Sequence, residues 1–522
     1  MEFASGVKWI KSVAVEAGPA GDGLGVAASG LDYYDGSRVF TWLADLAGLP
    51  IDQVNFLITQ FLALALAPLF RGSLHHRRAS AALRHGVALA LGLFFGYFCF
   101  GAQAIHLAGL PAVCYVVMRF QDPKIMQKAV LAVALFYLSC IHLHRQVYDY
   151  GSYTLDITGP LMVITQKVTS LAFSLHDGLT QREEDLSGVR KYHALRKMPS
   201  VLEYFAYMFH FQALMAGPII FYRDYIDFIH GRNFLTHSGT SIKIDEANYA
   251  EKEVILEPSP LLAVIRKVVA SLVYAVLLTK FVSVFPIRII KEPEFLELAV
   301  PSKMLFLMVS TAVHRFKYYH AWLLADAICN ASGLGFNGFA EDGSARWDLH
   351  SNIDVLGFEC GLNFRDCIEN WNKGTNCWLR LVVYDRTKKN ATLWTYALSA
   401  FWHGFYPGYY LTFASGALFT FAARKIRRHV RPFFTTSMTL KAFYDLLTFW
   451  TTRVAMAYIT FSFILLEFWP SVRCYLSMYL YLHVLAVLAL LGLPHILPQN
   501  PSRNKLNDQF LTISKANGMK AD

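Results

Sequence analysis

A single histidine stands inside an apolar run, Ala397-Leu-Ser-Ala-Phe-Trp-His403-Gly-Phe-Tyr-Pro-Gly-Tyr-Tyr410. An imidazole there must find a partner, stay uncharged or do chemistry. Imidazole is the commonest general base near neutral pH. It can take the proton of a hydroxyl that attacks a thioester or ester. The oxyanion formed then needs a donor, and an asparagine amide can supply one through its NH2 group. The stretch Ile368-Glu-Asn-Trp-Asn-Lys-Gly-Thr-Asn-Cys-Trp-Leu-Arg380 offers such amides. If it is helical, Asn372 and Asn376 lie at i and i+4 on one face. Trp371 and Trp378 then share a face, as do Lys373 and Arg380. The pattern suits a helix lining a polar chamber with aromatic walls. A helix in the headgroup belt, where Trp is enriched, is the other reading. One histidine and one asparagine suffice for acyl transfer with no serine or cysteine nucleophile. On the residues alone, a packed and hydrogen-bonded histidine remains the alternative.

Other polar groups sit where lipid is expected. Ionisable side chains inside membrane spans are costly and point to function. The run Val313–Ala327 carries His314, Arg315, Lys317, His320 and Asp326. Arg315 and Lys317 could contact a phosphate or an acidic partner. Alternatively they pair with Asp326, cap the helix end or snorkel to the interface. His142 and His144 form an His-x-His pair with no third ligand, so interfacial histidines are expected rather than a metal site. The eight cysteines contain no Cys-x-x-Cys pair, which disfavours a disulfide framework or a zinc site. They are expected to pack as small hydrophobes.

These groups must be positioned by membrane helices. Of the 522 residues, 55% are hydrophobic and only 16% charged, against about 25% charged in soluble domains. Mean hydropathy is +0.34. A crossing needs about 20 mostly apolar residues. Val54–Phe70 is the first clear span, with further candidates near 86–101, 103–118, 126–143, 201–222, 261–285, 303–329, 391–422, 440–466 and 473–494. The segment 154–175 is apolar but interrupted, and could span or lie along the interface. An all-α polytopic membrane protein with roughly ten or eleven transmembrane helices is expected. Residues 1–50 read as an extramembrane segment, 51–495 as one multi-span domain and 496–522 as a cytoplasmic tail. Pro407 falls mid-way in the long run 391–422 and predicts a bend there. The formal net charge is +10. It is explained by basic cytoplasmic loops such as Arg424–Arg431 or by attraction of anionic lipid or a phosphorylated substrate. No basic arm or stacking platform suggests nucleic acid. The Asn330-Ala-Ser and Asn390-Ala-Thr sequons are taken as chance matches. No internal repeat of the transporter kind is visible.

The chain resembles the membrane-bound O-acyltransferase family over roughly 50–495. The resemblance is carried by Asp156–Gly178, by Leu214–Tyr225 with its Gly-Pro, and by Arg315–Phe339, followed by "WNKGTNCW" and "FWHG". The Gly-Leu-Gly-Phe-Asn-Gly element is similar to the lysophospholipid-acyltransferase branch. Thr375-Asn376-x-Trp378 looks most like its lysophosphatidylcholine acyltransferase members. The resemblance implies a helical bundle around a buried reaction chamber, with His403 and Asn372 catalytic. Asn376, Trp378, Trp402, Arg315 and Lys317 become candidate substrate contacts. It implies acyl transfer from acyl-CoA to a lysophospholipid hydroxyl, with phosphatidylcholine, phosphatidylethanolamine or phosphatidylserine precursors as acceptors. The enzyme would sit in the endoplasmic reticulum membrane, acyl-CoA serving as co-substrate with no cofactor or metal, and a homodimer is left open. The rival readings are a family member acylating a peptide or a sterol, and a non-enzymatic transporter.

Overall fold

The computed structural model describes residues 33–152, 154–186, 188–237 and 257–497. Most of the expected N-terminal segment (1–32) and of the C-terminal tail (498–522) lies outside them. Among the described residues helix is the regular element, with one isolated bridge between Phe339 and Ala345. The longer helices, with short ones that bear on the site, are α1 (Ile51–Leu66), α2 (Ala81–Phe100), α3 (Ile105–Phe120), α4 (Met126–Tyr148), α5 (Thr158–Thr180), α6 (Val201–Phe209), α7 (Leu261–Phe281), α8 (Val300–Ser332), α9 (Phe364–Asn370), α10 (Lys373–Val382), α11 (Ala391–His403), α12 (Pro407–His429), α13 (Met438–Leu465), α14 (Phe468–Ser477) and α15 (Tyr481–Ile496).

The protein is an all-α polytopic membrane protein. Among the described residues, four stretches are long and apolar enough to cross a bilayer unaided: Ile51–Phe70, Ala81–Phe120, Met126–Tyr148 and Leu261–Phe281. A fifth counts if α14 and α15, bent by 75°, form one span. The other expected crossings are broken or carry charge, and their polar groups are met inside the protein. Irregular backbone at membrane depth is tolerated where protein buries it. The expected span 201–222 shows this. Its helix stops at Phe209, and residues 210–221 run on as mostly buried irregular chain, with Gly217 at φ 73°.

The interrupted segment 154–175 becomes α5, which is buried on nearly every face. Several of its polar residues meet partners inside the protein. Lys167, fully buried, places Nζ 3.3 and 3.2 Å from the carbonyls of Tyr207 and Met208 and 3.0 Å from His210 Nε2. Those carbonyls close α6, where N–H donors satisfy acceptors that the helix end leaves without a partner. Asp177 accepts from Arg386 (2.9 and 2.6 Å) and from Arg190 (3.2 and 2.9 Å). Two large apolar cores stand beside three smaller clusters among the described residues. One joins α2 to α6 with α10; the other joins the Ile287–Leu307 region with α12–α15.

Candidate active site

The run around His403 is two helices. α11 ends on His403 and α12 starts at Pro407, the first helical position, where proline lacks nothing the helix needs. The bend expected at Pro407 is therefore a full break. Gly404 makes it possible, with φ 110° and ψ −161°, a region closed to residues with a Cβ. Gly408 lets α12 touch α13: a Cβ there would stand 2.1 Å from the Ser462 carbonyl. The break leaves His403 at a helix end, ringed by Trp402, Tyr409, Phe413 and Phe463 at 4.6, 5.9, 5.0 and 5.2 Å between ring centres. Its Nδ1 is buried with no hydrogen-bond partner.

One face of α5 holds this assembly. Residues 162, 166 and 169 follow the four-three spacing of a helix face. The Met162 carbonyl accepts from Trp402 Nε1 at 3.0 Å, Gln166 Nε2 donates to Thr375 Oγ1 at 2.8 Å, and Thr169 Oγ1 accepts from Trp378 Nε1 at 2.8 Å. The rings of Trp378 and Trp402 lie 5.7 Å apart and lock α10 to α11. Trp378 is wholly buried. Both indoles spend their N–H groups on α5, so they fix the helices rather than offering donors to a substrate.

Asn372 does not begin on a continuous helix. It sits between α9 and α10 in the left-handed region (φ 47°, ψ 52°), which Asn tolerates better than most residues. Its side chain does not cap α10. The turn is clamped by Asn352, whose carbonyl accepts from Lys373 N at 2.8 Å and whose Oδ1 accepts from Gly374 N at 3.1 Å. Trp371 is held edge-on by Tyr318, Tyr319 and Trp322 of α8. Asn372 precedes Trp378 by six residues, about 9 Å along the helix axis at 1.5 Å per residue. Among the described residues no hydrogen bond joins the Asn372 side chain to Trp378 or to His403.

Asn376 Nδ2 donates to the carbonyls of Ile368 (2.6 Å) and Trp371 (2.9 Å), which ties the end of α9 to α10. Arg315 grips Glu359 through Nε (2.9 Å) and Nη2 (2.8 and 3.0 Å), while Tyr319 donates to the same carboxylate at 2.6 Å. Asp326 pairs instead with Lys267 at 2.6 Å. Lys317 Nζ lies 4.9 Å over the ring of Tyr318, which packs on Trp371. Replacing Arg315 by Leu is expected to cost about 1–3 kcal/mol of stability through the loss of its charge-assisted hydrogen bonds to Glu359, which keeps Tyr319 and Arg453 as partners. Thermal unfolding in detergent should show this, with substrate KM unchanged. A tenfold rise in KM at an unchanged melting temperature would restore Arg315 as a substrate contact.

His142, expected as an interfacial histidine, is instead buried, and its Nε2 lies 3.1 Å from the Trp402 carbonyl. His144 packs against Tyr33 and Tyr148. Among the described residues, His75, His76 and Glu257 bring potential metal-ligating atoms within 4.8 Å of one another. Burial, then the neighbouring His75, pushes His76 down to about 4. The Arg77 backbone N–H donates to His75 Nδ1, so Nε2 keeps its proton and donates to Glu257 at 2.8 Å. Arg71 also lies 3.8 Å from that carboxylate. The group closes on itself as a hydrogen-bonded cluster.

A model of the membrane-bound O-acyltransferase family matches residues 143–466, which include Asn372 and His403. The chain is 57% identical over 465 residues to lysophospholipid acyltransferase 6 of Drosophila melanogaster, covering 89% of this chain and 64% of that protein. It is 42% identical over 462 residues to membrane-bound glycerophospholipid O-acyltransferase 2 of Homo sapiens, covering 88% of each. It is 32% identical over 488 residues to a lysophospholipid acyltransferase of Schizosaccharomyces pombe, covering 90% of this chain and 91% of that protein. The family match spans more than half of the chain and the human relative most of both chains, so this chain belongs to the membrane-bound O-acyltransferase family.

Proposed function

We propose that this chain is an acyl-CoA-dependent lysophospholipid O-acyltransferase, with lysophosphatidylcholine as the first acceptor to test and lysophosphatidylethanolamine and lysophosphatidylserine as further ones. The observation that supports it best is His403, set at a helix break among aromatic rings with Nδ1 committed to no protein partner. In this reading His403 takes the proton from the free glycerol hydroxyl. The oxygen attacks the thioester carbonyl, and the Asn372 amide donates to the oxyanion. Collapse of the tetrahedral intermediate expels the thiolate of CoA, which the imidazolium protonates. The products are a diacyl phospholipid and free CoA. His403 and Asn372 act directly; Trp378, Trp402 and Asn376 hold the frame, and Lys317 is left as a contact for substrate phosphate. No cofactor or metal enters the scheme. The site lies within a multi-pass protein of the endoplasmic reticulum membrane.

Asn372 is tested with glycine, because glycine accepts the left-handed backbone that alanine resists. Asn372→Gly is expected to lower kcat by about 10²–10³, as for loss of an oxyanion donor. Unchanged kcat in a folded variant would remove Asn372 from the mechanism. The function itself is tested by offering the purified protein labelled acyl-CoA with lysolipids, a sterol and a peptide. Ester formation on the lysolipids supports the proposal. Product only on the sterol or the peptide would overturn it.

A further inference from the structure

The C-terminal end of α11 is held at one further point. The Trp402 carbonyl, one residue before His403, faces His142 Nε2 at 3.1 Å. A carbonyl only accepts, so Nε2 must carry the hydrogen. His142 therefore donates to a carbonyl that the helix end leaves without an intrahelical partner. Contact is close on the other side too: a Cβ on Gly404 would stand 2.9 Å from His142 Nδ1. Gly404 thus serves both the backbone break and the approach of this ring. His142 lies 260 residues from Trp402 and comes from α4, a helix that otherwise packs against α3 and α5. Trp402 is also fixed through its indole by Met162.

We infer that His142 is a positioning residue for His403: its Nε2–H holds the Trp402 carbonyl and so sets the direction in which the His403 ring leaves the end of α11. The inference rests on the acyl-transfer reading above. His142 touches no reacting atom in this scheme. It fixes the peptide that carries the base, and small misplacements of a catalytic group are costly in rate.

His142→Leu removes the donor, whereas His142→Gln keeps an N–H at nearly the same reach. The Leu variant is expected to lower kcat by about 10- to 100-fold, in line with an orientation effect, leaving both KM values within about twofold. The Gln variant should recover most of that loss. A lesion that only loosens the fold would lower the melting temperature of both variants and give no such recovery. In a His403→Ala background, His142→Leu should change the residual rate little, because effects carried through one group do not add. Should the Leu variant not fold, the Gln variant in both backgrounds carries the same comparison through its smaller loss. Wild-type kcat in folded His142→Leu, equal impairment of the Leu and Gln variants, or full additivity with His403→Ala would each overturn the role of His142. Failure of the underlying reading is distinct: the wild-type protein would then form no acyl-CoA-dependent ester at all.

Discussion

His403→Ala is expected to lower kcat for acyl transfer by about 10²–10⁴, the usual contribution of a positioned general base. No hydrogen bond to the His403 side chain is present among the described residues, and its neighbours are aromatic. Removing it breaks no polar network and leaves no charge stranded. The loss should therefore fall on turnover, with KM for both substrates nearly kept, the signature of an interaction made in the transition state. His403→Gln fills more of the space between Phe413 and Phe463 but supplies no base. It should be as inactive as the alanine variant, with a smaller fall in melting temperature. Steady-state kinetics beside thermal unfolding would check both points.

Asp177→Ala is expected to cost about 3–5 kcal/mol and to leave little folded protein, because it removes the fully buried anion shared by two partly buried guanidinium groups. Asp177 comes from α5, Arg190 from the segment after it, and Arg386 from the turn between α10 and α11. The carboxylate is fully buried. It ties the turn ahead of the candidate catalytic helix to the helix that anchors Trp378 and Trp402. Arg386 also lies 4.6 Å over the Phe173 ring of α5. Monodisperse yield and melting temperature in detergent measure the effect. A well-folded Asp177→Ala protein with the wild-type melting temperature would show that the cluster carries no such stability.

The site was partly legible in the sequence because its chemistry is local. His403 is conspicuous in an apolar run, and Trp371-Asn372 sits in a stretch whose polarity a buried span would not carry. The surrounding residues were harder to assign, because their roles depend on breaks and on distant partners. A helical repeat puts Asn372 and Asn376 on one face, but the left-handed turn at Asn372 starts the helix one residue later and turns Asn376 to the carbonyls behind it. Arg315 finds Glu359, 44 residues away in a part of the chain with no periodic signal. His142 reads from the sequence as an interfacial histidine, while its partner is a carbonyl 260 residues on. The helical, membrane-embedded character follows from composition. The number of unaided crossings does not, since α5 and the 201–222 segment are apolar enough to suggest lipid yet are buried in protein, where polar side chains and irregular backbone find partners.

The most direct test combines activity with the proposed base in one assay. Purified wild-type and His403→Ala proteins, each shown folded by its melting curve, are given isotope-labelled oleoyl-CoA and lysophosphatidylcholine. Products are followed by mass spectrometry. The expected result is labelled phosphatidylcholine from the wild type, dependent on both substrates, and about 10²–10⁴ less from the variant. Labelled phosphatidylcholine from folded His403→Ala at the wild-type rate would contradict His403 as the base.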